Sequence, residues 1–211
     1  TEDCSLAVAH TRWATHGGVT PANAHPHATA DGTIVVVHNG IIENYQELRD
    51  DLMSKGHTFL SETDTEIIPH LIEEELKQTD GDFASAVRNA CHKFEGRYGL
   101  LALHAESETL VAARTGSPLI VGVTDDGYCI ASDIPAFMEH TKTVQYLDDG
   151  EMVVTDGQSI LFTDLETGEE RPKREVEITW TVEQAQKGEF AHFMLKDIME
   201  QKDSIARAVN Q

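Results

Sequence analysis

The sequence predicts an α+β fold whose sheets are largely antiparallel. Helical and strand-like patterns come in separate blocks instead of strict alternation, which argues against a parallel βαβ sheet. Beyond Gly96 the apolar runs are short, the length of buried strands. Turn dipeptides separate several of them (Asp126-Gly127, Asp149-Gly150 and Asp156-Gly157), which is hairpin chemistry.

The first apolar run, residues 6–9, reads as a short strand leading into a histidine-bearing loop over 15–33. Residues 34–37, Ile-Val-Val-Val, form a β-branched buried strand. Asn44 is a plausible N-cap for the next helix, with Glu47 three residues on, an apolar face of Leu48, Leu52 and Met53, and Gly56 as its stop. A second helix carries Ile67, Ile68, Leu71, Ile72 and Leu76 on one side. Its Pro69 is tolerated only in or near the first turn, so the helix begins close to Thr65 and leaves Asp64 at or just before the cap. A third helix over 83–94 turns Ala84, Val87, Ala90 and Cys91 inward. Strands follow at 100–103, 110–113, 119–123, 128–131, 144–147, 152–154 and 160–162. The tail, 181–211, reads as a charged helix with Phe190, Phe193, Met194, Ile198 and Met199 as its apolar face. Such a helix resembles a linker into a further domain.

Composition removes several classes of function. With 211 residues and 40% hydrophobic content the chain can bury a sizeable core. It contains no apolar run long enough for a bilayer and no basic leader followed by an apolar stretch, so a cytoplasmic protein with no membrane partner is expected. The three cysteines, Cys4, Cys91 and Cys129, are too far apart for a paired zinc site and odd in number, so they are expected to be reduced thiols. Nucleic acid is excluded as a partner by 37 acidic against 16 basic residues and a net charge of -21. A surface this acidic suits a salt-loving source, where counterions screen its self-repulsion.

Three segments carry candidate chemistry. In His10-Thr11-Arg12-Trp13-Ala14-Thr15-His16-Gly17-Gly18 an arginine and a tryptophan enter a glycine-bearing loop. The planar fork of Arg12 suits a carboxylate ligand, and a structural ion pair would use it equally well. His38-Asn39-Gly40 follows the valine-rich strand. Asn-Gly there is commonly a hairpin turn, but Ile41-Ile42-Glu43-Asn44 leads into a helix, so the Asn39 amide and the Gly40 N–H are also candidates for an oxyanion hole. Ser61-Glu62-Thr63-Asp64-Thr65-Glu66 reads as a helix-capping box, and Asp64 could additionally receive the ammonium of an amino acid whose carboxylate sits on Arg12.

Together these segments resemble the glutaminase domains of the class II glutamine amidotransferases, most specifically those of the glucosamine-6-phosphate synthase family. The match continues in order through Ala24-His25-Pro26-His27, Gly116-Ser117-Pro118-Leu119, Ala131-Ser132-Asp133-Ile134 and Phe193-Met194-Leu195-Lys196-Asp197-Ile198, nearly the whole chain. Amidotransferases that make phosphoribosylamine or asparagine share the Arg and Asn-Gly logic but not the Arg-Trp-Ala-Thr-His-Gly loop. The resemblance implies a four-layer αββα sandwich of the N-terminal-nucleophile hydrolase type, without cofactor or metal, over residues 1–180, and a helical segment, 181–211, leading toward a sugar-isomerase domain. It implies hydrolysis of glutamine to glutamate and ammonia, and delivery of ammonia to a sugar-phosphate isomerase domain acting on fructose 6-phosphate, in a homodimeric full-length enzyme. By the same resemblance Arg12 would bind the glutamine α-carboxylate, Asp64 its α-ammonium, and Asn39 with the Gly40 N–H the oxyanion. Trp13, Thr15 and His16 would belong to a loop closing over glutamine, with Trp13 at the mouth of an ammonia passage, and His25 would support that loop.

The family uses a mature N-terminal cysteine, followed by a Gly-Ile-Val-Gly type strand, as its nucleophile. The chain opens Thr1-Glu2-Asp3 instead, so that segment is expected to precede these residues and the chain to be inactive as it stands. Thr1 and Cys4 are poor substitutes, because the strand they precede or share already leads into the Arg12-Trp13 loop. Three other readings stay open: the glutaminase of an amidophosphoribosyltransferase-like enzyme, a non-catalytic binding module, and a metal-dependent hydrolase built on His10, His16, His25, His27 and His38. The last lacks a His-Glu-x-x-His helix. The charge reading is directly testable. The thermal midpoint should rise from about 0.01 M to about 1 M salt, as the Debye length falls from roughly 30 Å to roughly 3 Å. A flat midpoint removes the halophilic interpretation.

Overall fold

Each strand expected after Gly96 is present, and every ladder between strands is antiparallel. The structure, a computed structural model, describes residues 5–179, 190–192, 194–196, 198–201 and 205. In chain order its elements are β1 (His27–Ala28), β2 (Ile34–Ile42), α1 (Tyr45–Ser54), α2 (Ile67–Leu76), α3 (Phe83–Cys91), β3 (Gly96–His104), β4 (Thr109–Thr115), β5 (Ile120–Thr124), β6 (Gly127–Ala131), β7 (Thr143–Tyr146), β8 (Glu151–Thr155), β9 (Ile160–Asp164) and β10 (Val176–Glu177).

The strands form a six-stranded sheet, β1-β2-β3-β4-β8-β9, and a four-stranded sheet, β10-β7-β5-β6. Side-chain alternation assigns the faces of the larger sheet. Val36, Leu100, Ala102, Val111 and Met152 point to one face and share a core with Leu52 of α1, Leu71 and Ile72 of α2 and Val87 of α3. Their odd-and-even neighbours Leu101, Ala112 and Val153 point the other way and pack with Val121 of the smaller sheet. A third cluster on the smaller sheet joins Val144 to Ile134, Phe137 and Ile178. The molecule is therefore the expected antiparallel sandwich of helices, sheet and sheet, and among the described residues the outermost cover includes the 3-10 turn Ile134–Ala136.

Several local expectations are corrected. Residues 6–9 join neither sheet, although Leu6 and Val8 are half-buried and Ala7 and Ala9 exposed, as a strand would have them. Alternation shows which face is apolar, but it does not by itself place a segment in a sheet. The valine-rich strand does not end at Val37; β2 runs on to Ile42, so Asn39 and Gly40 lie inside the ladder, opposite Gly99 and Tyr98. Asn44 begins α1 but makes no capping bond, because its amide instead holds Lys93 O and the Glu95 N–H. Asp149-Gly150 is not a hairpin turn: it carries the chain from β7 in one sheet to β8 in the other, with Asp149 Oδ1 accepting from the Gly116 N–H and the Arg114 guanidinium. The two-residue strands β1 and β10 are too short to show a period.

Cys91 is buried in the helix-side core and its thiol is pushed up to about 12 by that burial, while Cys129 is free and half-buried on β6. Cys4 and Thr1 lie outside the described residues, as does much of the segment expected as a tail helix, including Phe193. The described residues between 194 and 205 are helical, and Met194, Ile198 and Met199 among them are exposed. No helix among the described residues is long and apolar enough to cross a membrane.

The length of the β2–β3 ladder depends on two glycines. Gly40 has φ +118° and a Cβ there would sit 2.0 Å from Arg97 O; Gly96 has φ +114° and its Cβ would sit 2.4 Å from Ile41 O. Each strand thus admits the other's backbone only where a side chain is missing. Gly96→Ala should cost on the order of 3 kcal/mol or more in urea unfolding, since both backbone strain and displacement are imposed. Gly32→Ala, at φ +74° with open space around it, should cost about 1 kcal/mol. Equal losses would show that the close approach does not matter.

Candidate active site

A cavity of about 260 Å³ opens where the end of β2, the segment before α2 and the loop after His10 meet. Arg12, Trp13, Thr15, His16, His25, Asn39, Gly40 and Asp64, the residues singled out in the sequence, all line it. So do His10 and His38, which the sequence offered only as members of a metal site, and Ile41, Thr63 and Thr65, to which it gave no site role.

The floor is set by Asp64, only 3% exposed. Its Oδ2 accepts the Ile42 N–H at 2.9 Å, which joins the lead-in of α2 to the end of β2. Its Oδ1 is 3.9 Å from His16 Nδ1, too far for a hydrogen bond, and that nitrogen is buried without a partner. A donor group lodged between them would satisfy both. The segment carrying Asp64 is held from behind by Glu66, whose carboxylate accepts from the Leu60 N–H and from the Ser61 N–H and hydroxyl. Burial opposes ionisation of Glu66, yet those three hydrogen bonds hold its carboxyl below the usual range. The capping box of the sequence is thus real in part: Glu66 reaches back, but no side chain caps α2.

Arg12 stands at φ +46°, a conformation that is strained for a side-chain-bearing residue. Its backbone N–H donates to His10 Nδ1 at 3.0 Å, and its guanidinium donates to Gly18 O and His16 O at 2.9 Å each. The fork therefore organises the loop, and among the described residues it has no carboxylate partner, in a chain with 37 acidic side chains. Asn23, buried in the 3-10 turn Pro21–Asn23, pins the same loop: its amide donates to Gly18 O and accepts the Glu62 N–H. Beyond these anchors Trp13 is 92% exposed.

Hydrogen bonds fix the tautomers around Asn39. Because His10 Nδ1 accepts the Arg12 N–H, the ring proton is on Nε2, which donates to Asn39 Oδ1 at 2.8 Å. That leaves the Asn39 NH2 as the end free to face a ligand. His25 stacks on His10 with ring centroids 4.2 Å apart and accepts the His38 N–H at Nδ1. Its Nε2 is therefore the donor toward Thr65 Oγ1, which also meets His38 Nδ1 at 3.0 Å. His38 Nε2 remains buried and unpartnered. His25 is pushed down to about 3, chiefly by burial and then by His10, His27 and His38; burial pushes His38 down to about 4 despite the opposing Asp64 carboxylate. These imidazoles are neutral polar scaffolding. His38 Nε2 apart, their nitrogens are taken up by protein groups, and among the described residues the pocket histidines are not a group whose donor atoms converge closely enough for an ion. Neither described cysteine lines this pocket.

The chain belongs to the glutamine amidotransferase domain family, whose model matches residues 10–139. Among proteins of known role, the isomerizing glutamine–fructose-6-phosphate aminotransferase of Thermus thermophilus is 47% identical over 197 residues, covering 93% of this chain and 32% of the relative. The enzyme of the same name from Pyrococcus horikoshii is 48% identical, covering 97% of this chain and 34% of its own. The chain thus spans about a third of the length of these relatives. In fold it is similar to the glutamine phosphoribosylpyrophosphate amidotransferase of B. subtilis, with a TM-score of 0.62 and 22% identity over 75% of this chain and 34% of that one.

The neutral histidines make the protein sensitive to acid. Unfolded histidine takes up a proton near pH 6.5, whereas His25 and His38 resist protonation down to about 3 and about 4. Below 6.5 the unfolded state therefore binds more protons and stability falls as pH falls. For buried His38 the expected slope in urea unfolding between about pH 6 and about pH 4 is on the order of 1 kcal/mol per pH unit, with a smaller share from half-exposed His25. His38→Gln should flatten that slope even where it lowers absolute stability, and an unchanged slope would contradict the assignment.

Proposed function

We propose that the cavity binds L-glutamine as a zwitterion and stabilises the oxyanion formed when its side-chain amide is attacked. The observation that carries this reading is the placing of an acid-free guanidinium, Arg12, and a buried carboxylate, Asp64, on one small pocket whose wall holds Asn39 and Gly40. The α-carboxylate takes the remaining N–H groups of Arg12, and the α-ammonium enters the gap between Asp64 Oδ1 and His16 Nδ1, supplying the missing partner of each. The amide oxygen then lies against the Asn39 NH2, oriented by His10, and the Gly40 N–H, which hold the tetrahedral oxyanion. Thr15 and Trp13 close over the bound amino acid and exclude water, with Trp13 at the exit of ammonia and His25 supporting the loop. Neither described cysteine supplies the nucleophile, so recognition and oxyanion stabilisation are the steps assigned to these residues.

In the whole protein, by likeness to relatives named for fructose 6-phosphate, the ammonia passes to a sugar-phosphate isomerase domain that makes glucosamine 6-phosphate, in a cytoplasmic homodimer. Calorimetry tests the clamp. L-glutamine should bind one site per chain, with Arg12→Ala and Asp64→Asn each weakening it at least tenfold, about 1.4 kcal/mol. The analogue lacking the α-amino group should bind less tightly than L-glutamine to the unaltered chain and about equally to Asp64→Asn. If the unaltered chain does not distinguish the two ligands, Asp64 is not the ammonium site.

A further inference from the structure

Away from this pocket, the loop after α1 and the first turns of α2 bring three donor atoms together. His57 Nδ1 is 3.2 Å from His70 Nδ1 and 3.5 Å from Glu73 Oε2, and His70 Nδ1 is 3.8 Å from the same oxygen. Among the described residues this is the group whose donor atoms converge closely enough to hold a metal ion. A tetrahedral ion with nitrogen and oxygen ligands at about 2.0–2.2 Å places neighbouring donors about 3.3–3.5 Å apart. The observed separations bracket that edge, so one ion reaches all three with shifts of a few tenths of an ångström.

The surrounding groups prepare His57 for that task, while His70, whose Nδ1–H is the donor to His57 Nδ1, binds the ion in its other tautomer with the proton on Nε2. His57 Nε2 is 2.9 Å from Glu74 Oε1. A carboxylate only accepts, so the proton of neutral His57 is on Nε2 and the Nδ1 lone pair faces His70 and Glu73. A carboxylate behind an imidazole is the arrangement that orients metal-binding histidines and fixes their tautomer. Glu74 Oε1 is in turn held by an ion pair with Lys77 Nζ one turn further on. His70, buried on α2, is fixed by the edge-on ring of Phe59 at 5.0 Å, and Glu73 follows one turn later on the same face. His57 and Glu73 are only half-buried, which leaves a route for the ion and for a water as fourth ligand. A net charge of -21 concentrates divalent cations around the whole molecule.

We propose that His57 Nδ1, His70 Nδ1 and Glu73 bind one zinc-type divalent cation. The ion closes the segment between His57 and His70, which carries Thr63, Asp64 and Thr65, and so pins the floor of the amino-acid pocket without taking part in its chemistry.

The test uses the metal-stripped 211-residue chain titrated with zinc by calorimetry and with cobalt by visible absorption. One equivalent of zinc, the intense bands of tetrahedral cobalt, and slowed amide exchange across residues 57–70 on loading are expected. His57→Ala and Glu73→Gln should each weaken zinc at least tenfold, with circular dichroism checking the fold, while His25→Gln in the pocket leaves affinity and stoichiometry unchanged. Glu73 is half-exposed, so its variant keeps the test decisive if His57→Ala folds poorly. The proposal is overturned by the absence of stoichiometric uptake, or by uptake that survives Glu73→Gln and falls with His25→Gln. Loading that leaves amide exchange unchanged overturns the pinning.

Discussion

The site depends on one buried hydrogen bond, from the Ile42 N–H to Asp64 Oδ2. A carboxylate that is 3% exposed needs hydrogen-bond partners inside the protein, because uncompensated burial of its oxygens costs several kcal/mol. That bond is where the helix layer meets the end of β2, so satisfying Asp64 also sets the register of the α2 lead-in against the sheet. Its neighbours follow the same rule: Thr63 meets His27, Thr65 meets His38 and His25, and Glu66 takes up the amides of Leu60 and Ser61. One carboxylate oxygen is left toward the cavity. The pocket is thus what remains after most polar groups in a crowded corner have found a partner, with Asp64 Oδ1, His16 Nδ1 and His38 Nε2 left over.

Neutral histidines suit this corner because each can donate at one nitrogen and accept at the other. His10 links a backbone N–H to the Asn39 amide, and His25 links the His38 N–H to Thr65. A charged side chain would have added a counterion requirement, and a serine would not span the gap. The electrostatics also favour the proposed ligand. A zwitterion carries no net charge and is not repelled by a chain of -21, whereas an anion must work against that field before reaching Arg12.

Much of this was legible in the sequence, for identifiable reasons. Periodicity located α2 and α3 and the strands β3 to β9, because a buried face repeats over several residues. The Arg12-Trp13 loop, Asn39-Gly40 and Asp64 were legible as motifs. The full extent of β2 was not, because Asn and Gly are turn formers and only the close approach of β3, opposite two glycines, makes them strand residues here. Asn44 looked like a cap and proved to be a tie between α1 and the loop before β3, a long-range contact that local pattern does not encode. The sequence did not single out Asn23, nor His57, His70 and Glu73, whose donor atoms come side by side only on folding.

The distribution of order around the cavity bears on where binding energy arises. The α2 lead-in, Asn39 and the fork of Arg12 are already held by protein hydrogen bonds, so a ligand meets them with little ordering left to do. The strain at Arg12 is likewise supported by hydrogen bonds to its own loop, at His10, His16, Gly17 and Gly18, before any ligand arrives. Trp13, by contrast, has nearly its whole surface in water. Burying a side chain of that size removes roughly 150–250 Å², worth about 4–6 kcal/mol before the cost of fixing the loop. On the proposed closure, the polar wall therefore supplies selectivity for an α-amino acid, and the tryptophan supplies the drive to shut. A ligand too short or too long to leave room for the closed loop forfeits that second contribution even when Arg12 and Asp64 hold it well. The two halves of the site then discriminate independently, one by charge and one by length.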